Sequence, residues 1–195
     1  MDLKTMQEFY LAIGKLKRVK RTGWVLREVH DPESVADHSS RMALMALTLP
    51  LPATNPDNSP VELNRTKCVF LSLVHDIAEC IVGDLIVGRN CLTKPQKHDM
   101  EAAAIDSIQS LLSKGLAKDQ HTIQDLWLEY ELQSSPEARF VKDLDRYDMM
   151  LQAFEYEKNK DTSRSLEEFY ESTNGKFQFD CIKYLMQQLY SDRKK

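Results

Sequence analysis

The sequence predicts an all-α fold, and three observations carry that prediction. Apolar residues recur at spacings of three and four along most of the chain, and no stretch alternates with period two for long enough to build a sheet. Helix-boundary residues also stand where the periodic runs begin and end. Leu3, Met6, Tyr10, Ile13 and Leu16 mark one face of a helix over 2–17. Thr22-Gly23-Trp24 breaks that pattern, and Asp31-Pro32 predicts a turn. Ser34 followed by Asp37 has the form of a capping box with a shorter acid, which starts a helix running to about Leu49. Pro50, Pro52, Pro56 and Pro60 make 50–61 a loop between two helices of one core. A long helix over about 62–82 follows, closed by Gly83, and 84–94 is irregular around Gly88 and Asn90. Further helices are expected over 95–113, 119–132 and 136–158, the last with Ser135-Pro136 at its start, and two more near 163–172 and 179–191. Ile182, Leu185, Met186 and Leu189 form a stripe expected to pack within the chain.

At 195 residues the chain fits a single domain, 1–195, with a core over about 9–190 that needs no disulfide or metal staple to fold. No apolar run approaches the roughly 20 residues that span a bilayer, and Met1 to Gln7 carry Asp2 and Lys4 instead of the apolar centre of a secretory signal. Cys68, Cys80, Cys91 and Cys181 show no pairwise or framework spacing, which predicts free thiols in a reducing compartment, the cytoplasm with nuclear access left open. A formal charge of -4 argues against a general nucleic-acid binder. Lys15, Lys17, Arg18, Lys20 and Arg21 are the local exception, read either as a solvated helix end or as an electrostatic funnel for an anionic substrate.

The chemistry concentrates at His75-Asp76, inside the apolar run Leu71-Ser72-Leu73-Val74-His75-Asp76-Ile77-Ala78-Glu79. A buried charge is unfavourable unless it is paired or ligates a metal, so the pair needs partners. His38 shares a stripe with Met42, Met45 and Leu49, and its helix turns it inward. Asp145 lies four residues after Val141 and four before Met149, while Asp148 lies four after Leu144; periodicity alone does not choose between these acids. Glu79 falls one helical turn beyond His75-Asp76. His30, His98 and His121 stand in polar or loop settings and read as surface residues. Two imidazoles and two carboxylates suit Mn, Co, Fe or Mg, with Zn also admissible, and two open positions would serve water and substrate.

The runs Glu33-Ser34-Val35-Ala36-Asp37-His38, Val74-His75-Asp76-Ile77-Ala78-Glu79, Gly83-Asp84 and Phe140-Val141-Lys142-Asp143-Leu144-Asp145 resemble the successive motifs of the HD-domain superfamily, in particular its 5'-deoxynucleotidases. Leu151-Gln152-Ala153-Phe154-Glu155-Tyr156-Glu157 and Phe169-Tyr170-Glu171-Ser172-Thr173 are similar to that branch as well. The resemblance implies an HD-domain helical bundle, usually a homodimer, that removes phosphate from deoxynucleoside 5'-monophosphates with a divalent cation. By position it implies His38, His75, Asp76 and Asp145 as ligands, with Asp145 preferred over Asp148. Glu79 and Asp84 would stand near the substrate, positioning the attacking water or, with the Leu85 backbone, holding a second ion. Trp24 falls beside the substrate in that family, although it reads equally as a packing aromatic.

Two departures qualify the carry-over. The bacterial enzymes place a phosphate-orienting arginine where this chain has Gly23, leaving Arg21 or Arg27 as substitutes. They also place a sugar-contacting threonine where this chain has Val87, so deoxyribose selectivity does not transfer directly. Rival expectations are a phosphodiesterase or pyrophosphohydrolase on another nucleotide, and a nucleotide-binding module without catalysis. Neither a membrane nor nucleic acid is an expected partner.

Overall fold

A computed structural model describes residues 3–112 and 122–195. Ten α-helices are present among the described residues: α1 (Leu3–Ile13), α2 (Thr22–Leu26), α3 (Val35–Thr48), α4 (Arg65–Val74), α5 (Glu79–Val82), α6 (Lys94–Leu112), α7 (Ile123–Leu132), α8 (Pro136–Asn159), α9 (Glu167–Thr173) and α10 (Asp180–Arg193). The only strand-like pairings among these residues are isolated bridges, Lys20 with Ser34 and Thr54 with Pro60. The fold is an all-α bundle.

The boundaries follow local chemistry. At the start of α3 the Ser34 hydroxyl accepts from Asp37 N while Asp37 Oδ2 accepts from Ser34 N, the reciprocal box expected from the sequence. The other end of α3 is closed by Arg65, whose Nη1 donates to the carbonyls of Ala46, Leu47 and Leu49. Those carbonyls have no partner inside their own helix, so Arg65 joins the two ends of the proline-rich 50–61 loop. Ser135 caps α8 through Ala138 N, with Pro136 in the first turn. Asp143 is fully buried and accepts from Gln178 N and Phe179 N, which ties the start of α10 to α8.

Three expectations need correction. The helix over 2–17 is α1 followed by a 3-10 turn at Gly14–Lys17. Thr22-Gly23-Trp24 is no break but lies inside the short helix α2. The long helix over 62–82 is two helices, because at 75–78 the backbone tightens to three-residue bonding, Ile77 N to Val74 O and Glu79 N to Asp76 O. The N-terminal part of the expected 119–132 helix, and His121, lie outside the described residues.

α8 has 24 residues, so at 1.5 Å per residue it runs about 36 Å and crosses both apolar clusters of the molecule. Its first half packs Phe140, Val141 and Leu144 among Met42, Leu71, Ile105, Ile108 and Trp127. Its second half packs Met150, Ala153 and Tyr156 with Trp24, Leu166, Tyr170 and Met186. Tyr147 and Phe177 pack against both clusters. Ile182, Met186 and Leu189 are buried as expected for an intramolecular stripe.

Candidate metal centre

His38 sits one turn into α3 and is completely buried. His75 caps the end of α4, and Asp76 opens the tightened turn that follows. Their approach is fixed by the close packing of α3, α4 and α8 around Met42, Leu71 and Leu144. His38 Nε2 and His75 Nε2 lie 3.3 Å apart. Asp76 Oδ2 lies 3.2 Å from His75 Nε2 and 3.9 Å from His38 Nε2, while Asp145 Oδ1 lies 3.3 Å from His38 Nε2.

The opposite ring nitrogens decide what this means. His75 Nδ1 is 2.9 Å from Ser72 O, a carbonyl that can only accept, so that nitrogen carries the proton. His38 Nδ1 is 2.7 Å from Asp148 Oδ2 and donates to it likewise. In neutral rings both Nε2 lone pairs then face each other, with two carboxylates beside them. Such a cluster requires added positive charge. Without an ion, a proton answers that need at His38: burial and the Arg21 charge oppose it, but Asp145 and Asp148 outweigh them and raise its pKa to about 9. For Asp76 and Asp145 burial acts upward, yet the neighbouring imidazoles, with Arg21 and Lys142, hold both carboxylates below the usual range. The donor set fits a divalent cation.

His38, His75 and Asp76 each place a ligand atom within 4.8 Å of the others. Asp145 stands beside His38 but outside that trio, its Oδ2 accepting from Tyr130 Oη at 2.8 Å and Lys142 Nζ at 2.9 Å. Glu33, His38 and Asp148 form a second grouping, but Asp148 Oδ1 already takes Arg41 Nε at 2.5 Å. In that grouping Asp148 is therefore already ion-paired.

The remaining expected residues divide. Arg21 enters the centre, its Nη1 donating to Asp76 Oδ2 at 3.0 Å. Arg27 pairs with Glu168 and lies over the Phe169 ring instead. A Cβ at Gly23 would stand 3.1 Å from Phe169 Cε1, so this position is closed by α9. Glu79 is buried and its Oε2 has no hydrogen-bond partner among the described residues; burial, then Asp76 and Asp84, push its carboxyl up to about 11. Asp84 Oδ2 accepts from Thr22 N at 2.5 Å, and the Thr22 hydroxyl donates to Asp84 O. Asp84 and Leu85 line a hollow of about 330 Å³ with Thr22, Ile86, Arg89 and Met100, whereas Val87 is exposed. Trp24 is buried against Tyr156 and Phe169, its Nε1 donating to Glu33 Oε1. Neither three-residue grouping includes Glu79 or Asp84, so the expected second ion rests on the resemblance. Lys15, Lys17, Arg18 and Lys20 are exposed, and His30 and His98 are exposed as expected.

A family model described as the HD domain matches residues 13–183. The chain belongs to the HD-domain family. This HD-domain chain is 44% identical over 191 residues to 5'-deoxynucleotidase HDDC2 of Danio rerio, covering 98% of this chain and 89% of the relative. It is 45% identical over 190 residues to 5'-deoxynucleotidase HDDC2 of Homo sapiens, covering 97% and 87%. Among solved structures, the PH0347 protein of Pyrococcus horikoshii superposes with a TM-score of 0.71 at 30% identity, over 96% of this chain and 98% of the other. Sequence reasoning missed the supporting groups of this HD-domain centre: Arg41, Tyr130, Lys142 and Glu33. Arg41, three residues after His38, and Lys142, three before Asp145, each left a periodic signal on their helices; Glu33 and Tyr130 did not.

Proposed function

We propose that this HD-domain chain is a divalent-metal-dependent 5'-deoxynucleotidase, hydrolysing deoxynucleoside 5'-monophosphates to deoxynucleoside and phosphate. Its ligands are His38, His75, Asp76 and Asp145, and Mn, Co or Mg are the cations best matched to that nitrogen–oxygen set. One observation supports the reading above others: two imidazoles whose Nδ1 atoms are committed as donors aim both Nε2 atoms at one carboxylate-lined point. The HDDC2 relatives supply the substrate class.

A cation at that point supplies Lewis-acid polarisation of the phosphate and acidifies a water beside it. The protein supplies the rest. Arg21, kept charged by Asp76, Asp84 and Asp145, neutralises the phosphate dianion in place of the arginine missing at position 23. Glu79, buried with Oε2 unpartnered among the described residues, orients the attacking water. Asp84, fixed by Thr22, faces the sugar from the rim of the adjoining hollow. Trp24 backs this wall through packing, and Val87 offers no hydroxyl for sugar contact.

The same reading includes a cytoplasmic homodimer. Its support is the resemblance together with Leu44 and Leu47 on α3 and Phe70 and Leu73 on α4, all exposed on two helices packed together. Product release from a panel of deoxy- and ribonucleoside monophosphates and nucleotide phosphodiesters, with metal removed and restored, tests the activity. Turnover of the deoxy compounds only with metal supports it; metal-independent turnover, or release from diesters alone, overturns it.

A further inference from the structure

We infer that Asp148 is a positioning residue that sets the tautomer and ligand strength of His38, and that Arg41 and Glu155 hold it in place. The inference rests on the ligand assignment above and adds residues which that assignment does not contain. Asp148 is fully buried on α8, and both its oxygens are engaged. Oδ2 accepts from His38 Nδ1 at 2.7 Å and Oδ1 accepts from Arg41 Nε at 2.5 Å. Arg41 in turn donates from Nη2 to the Asp148 carbonyl at 3.4 Å and from Nη1 to Glu155 Oε2 at 2.7 Å. His38 and Arg41 lie three residues apart on α3, while Asp148 and Glu155 lie seven apart on α8. Each pair therefore shares one helix face, and the chain Glu155–Arg41–Asp148–His38 runs along a single helix interface from half-exposed surface to buried imidazole.

The arrangement has three consequences. The carboxylate can only accept, so His38 keeps its proton on Nδ1 and presents Nε2 as the donor atom. Its negative charge increases the electron density available at Nε2, and its rigid grip fixes the ring plane. Arg41 stabilises the ionised carboxylate at a fully buried position, and with both oxygens engaged Asp148 is not available as a ligand itself. Asp145 and Asp148, three residues apart on one helix face, thus divide the work. One stands beside His38 Nε2 and the other grips Nδ1.

The test is Mn(II) affinity of the full chain, measured by calorimetry on wild type, Asp148→Asn, Asp148→Glu, Glu155→Gln and His75→Ala. Asp148→Asn retains an acceptor for Nδ1–H but removes the charge, and a loss of about 10- to 100-fold is expected. Asp148→Glu is expected to recover part of that loss. Glu155→Gln, at the half-exposed end and outside the core, is expected to weaken binding in the same direction but less. In the Zn(II)-loaded wild type, 15N-labelled histidine spectra are expected to show His38 protonated at Nδ1. Asp148→Asn and Glu155→Gln both binding Mn(II) like wild type, or His38 protonated at Nε2, overturns the inference. If Asp148→Asn fails to fold, the Glu155→Gln affinity and the wild-type spectrum decide. If His75→Ala also binds Mn(II) like wild type, the ligand assignment itself has failed, a different result from failure of the positioning role.

Discussion

His38 and His75 get their chemistry from what holds their outer nitrogens, a carboxylate in one case and a backbone carbonyl in the other. Glu79 is the complementary case, a buried carboxyl with one oxygen unpartnered among the described residues. Glu79→Gln keeps its size but changes the group that orients the attacking water, and should lower kcat by about 100-fold, the range of a mispositioned reactant, while Mn(II) affinity stays near wild type. Equal loss of affinity and kcat would make Glu79 a ligand instead. Arg21→Ala should raise KM for the monophosphate more than Arg27→Ala, since only Arg21 reaches the centre; steady-state kinetics on both variants checks the order. The sequence made His75-Asp76 visible because a charged pair inside an apolar run is costly unless something compensates it. It did not separate Asp145 from Asp148, because residues three apart share a helix face. Nor did it choose Arg21 over Arg27, since only the packing of Phe169 on Gly23 and Trp24 sends one inward and the other out.

At the scale of elements, α3 is positioned by its two ends, the Ser34–Asp37 box and the Arg65 clamp on its last carbonyls. Ser34→Ala should cost about 1 kcal/mol of stability, as loss of an N-cap does, and denaturant titration measures it. Because His38 lies only four residues in, the same variant should also weaken Mn(II) binding slightly. Most helices were legible from period and caps: α3, α6, α8 and α10 begin within a residue or two of expectation. The break between α4 and α5 was not. Changing from four-residue to three-residue bonding over 75–78 displaces the apolar stripe by less than one position, so Val74, Ile77 and Ala78 still read as one helix. α2 escaped for another reason, since five residues give too little periodicity to detect.

For the whole molecule, the cluster makes stability depend on pH and on metal together. The folded pKa of His38, about 9, exceeds its ordinary 6.5. Its contribution is therefore full below about 6.5 and is lost as pH rises through about 9. Glu79, at about 11 against 4.5, acts in the same direction, full below about 4.5 and lost towards 11. Asp76 and Asp145 are depressed and act oppositely: their contribution is full above about 3.8 and is lost as pH falls below that. Metal-free protein should melt at lower temperature at about pH 9 than at about pH 6. Because imidazole ligands bind a cation only when deprotonated, the rise in Tm on adding Mn(II) should be larger at about pH 8 than at about pH 6. Thermal melts with and without metal check both trends. The most direct measurement is phosphate release from a deoxynucleoside monophosphate by metal-stripped wild type and His75→Ala, before and after Mn(II) is restored. The account predicts recovery in wild type alone; equal rates in all four samples would contradict it.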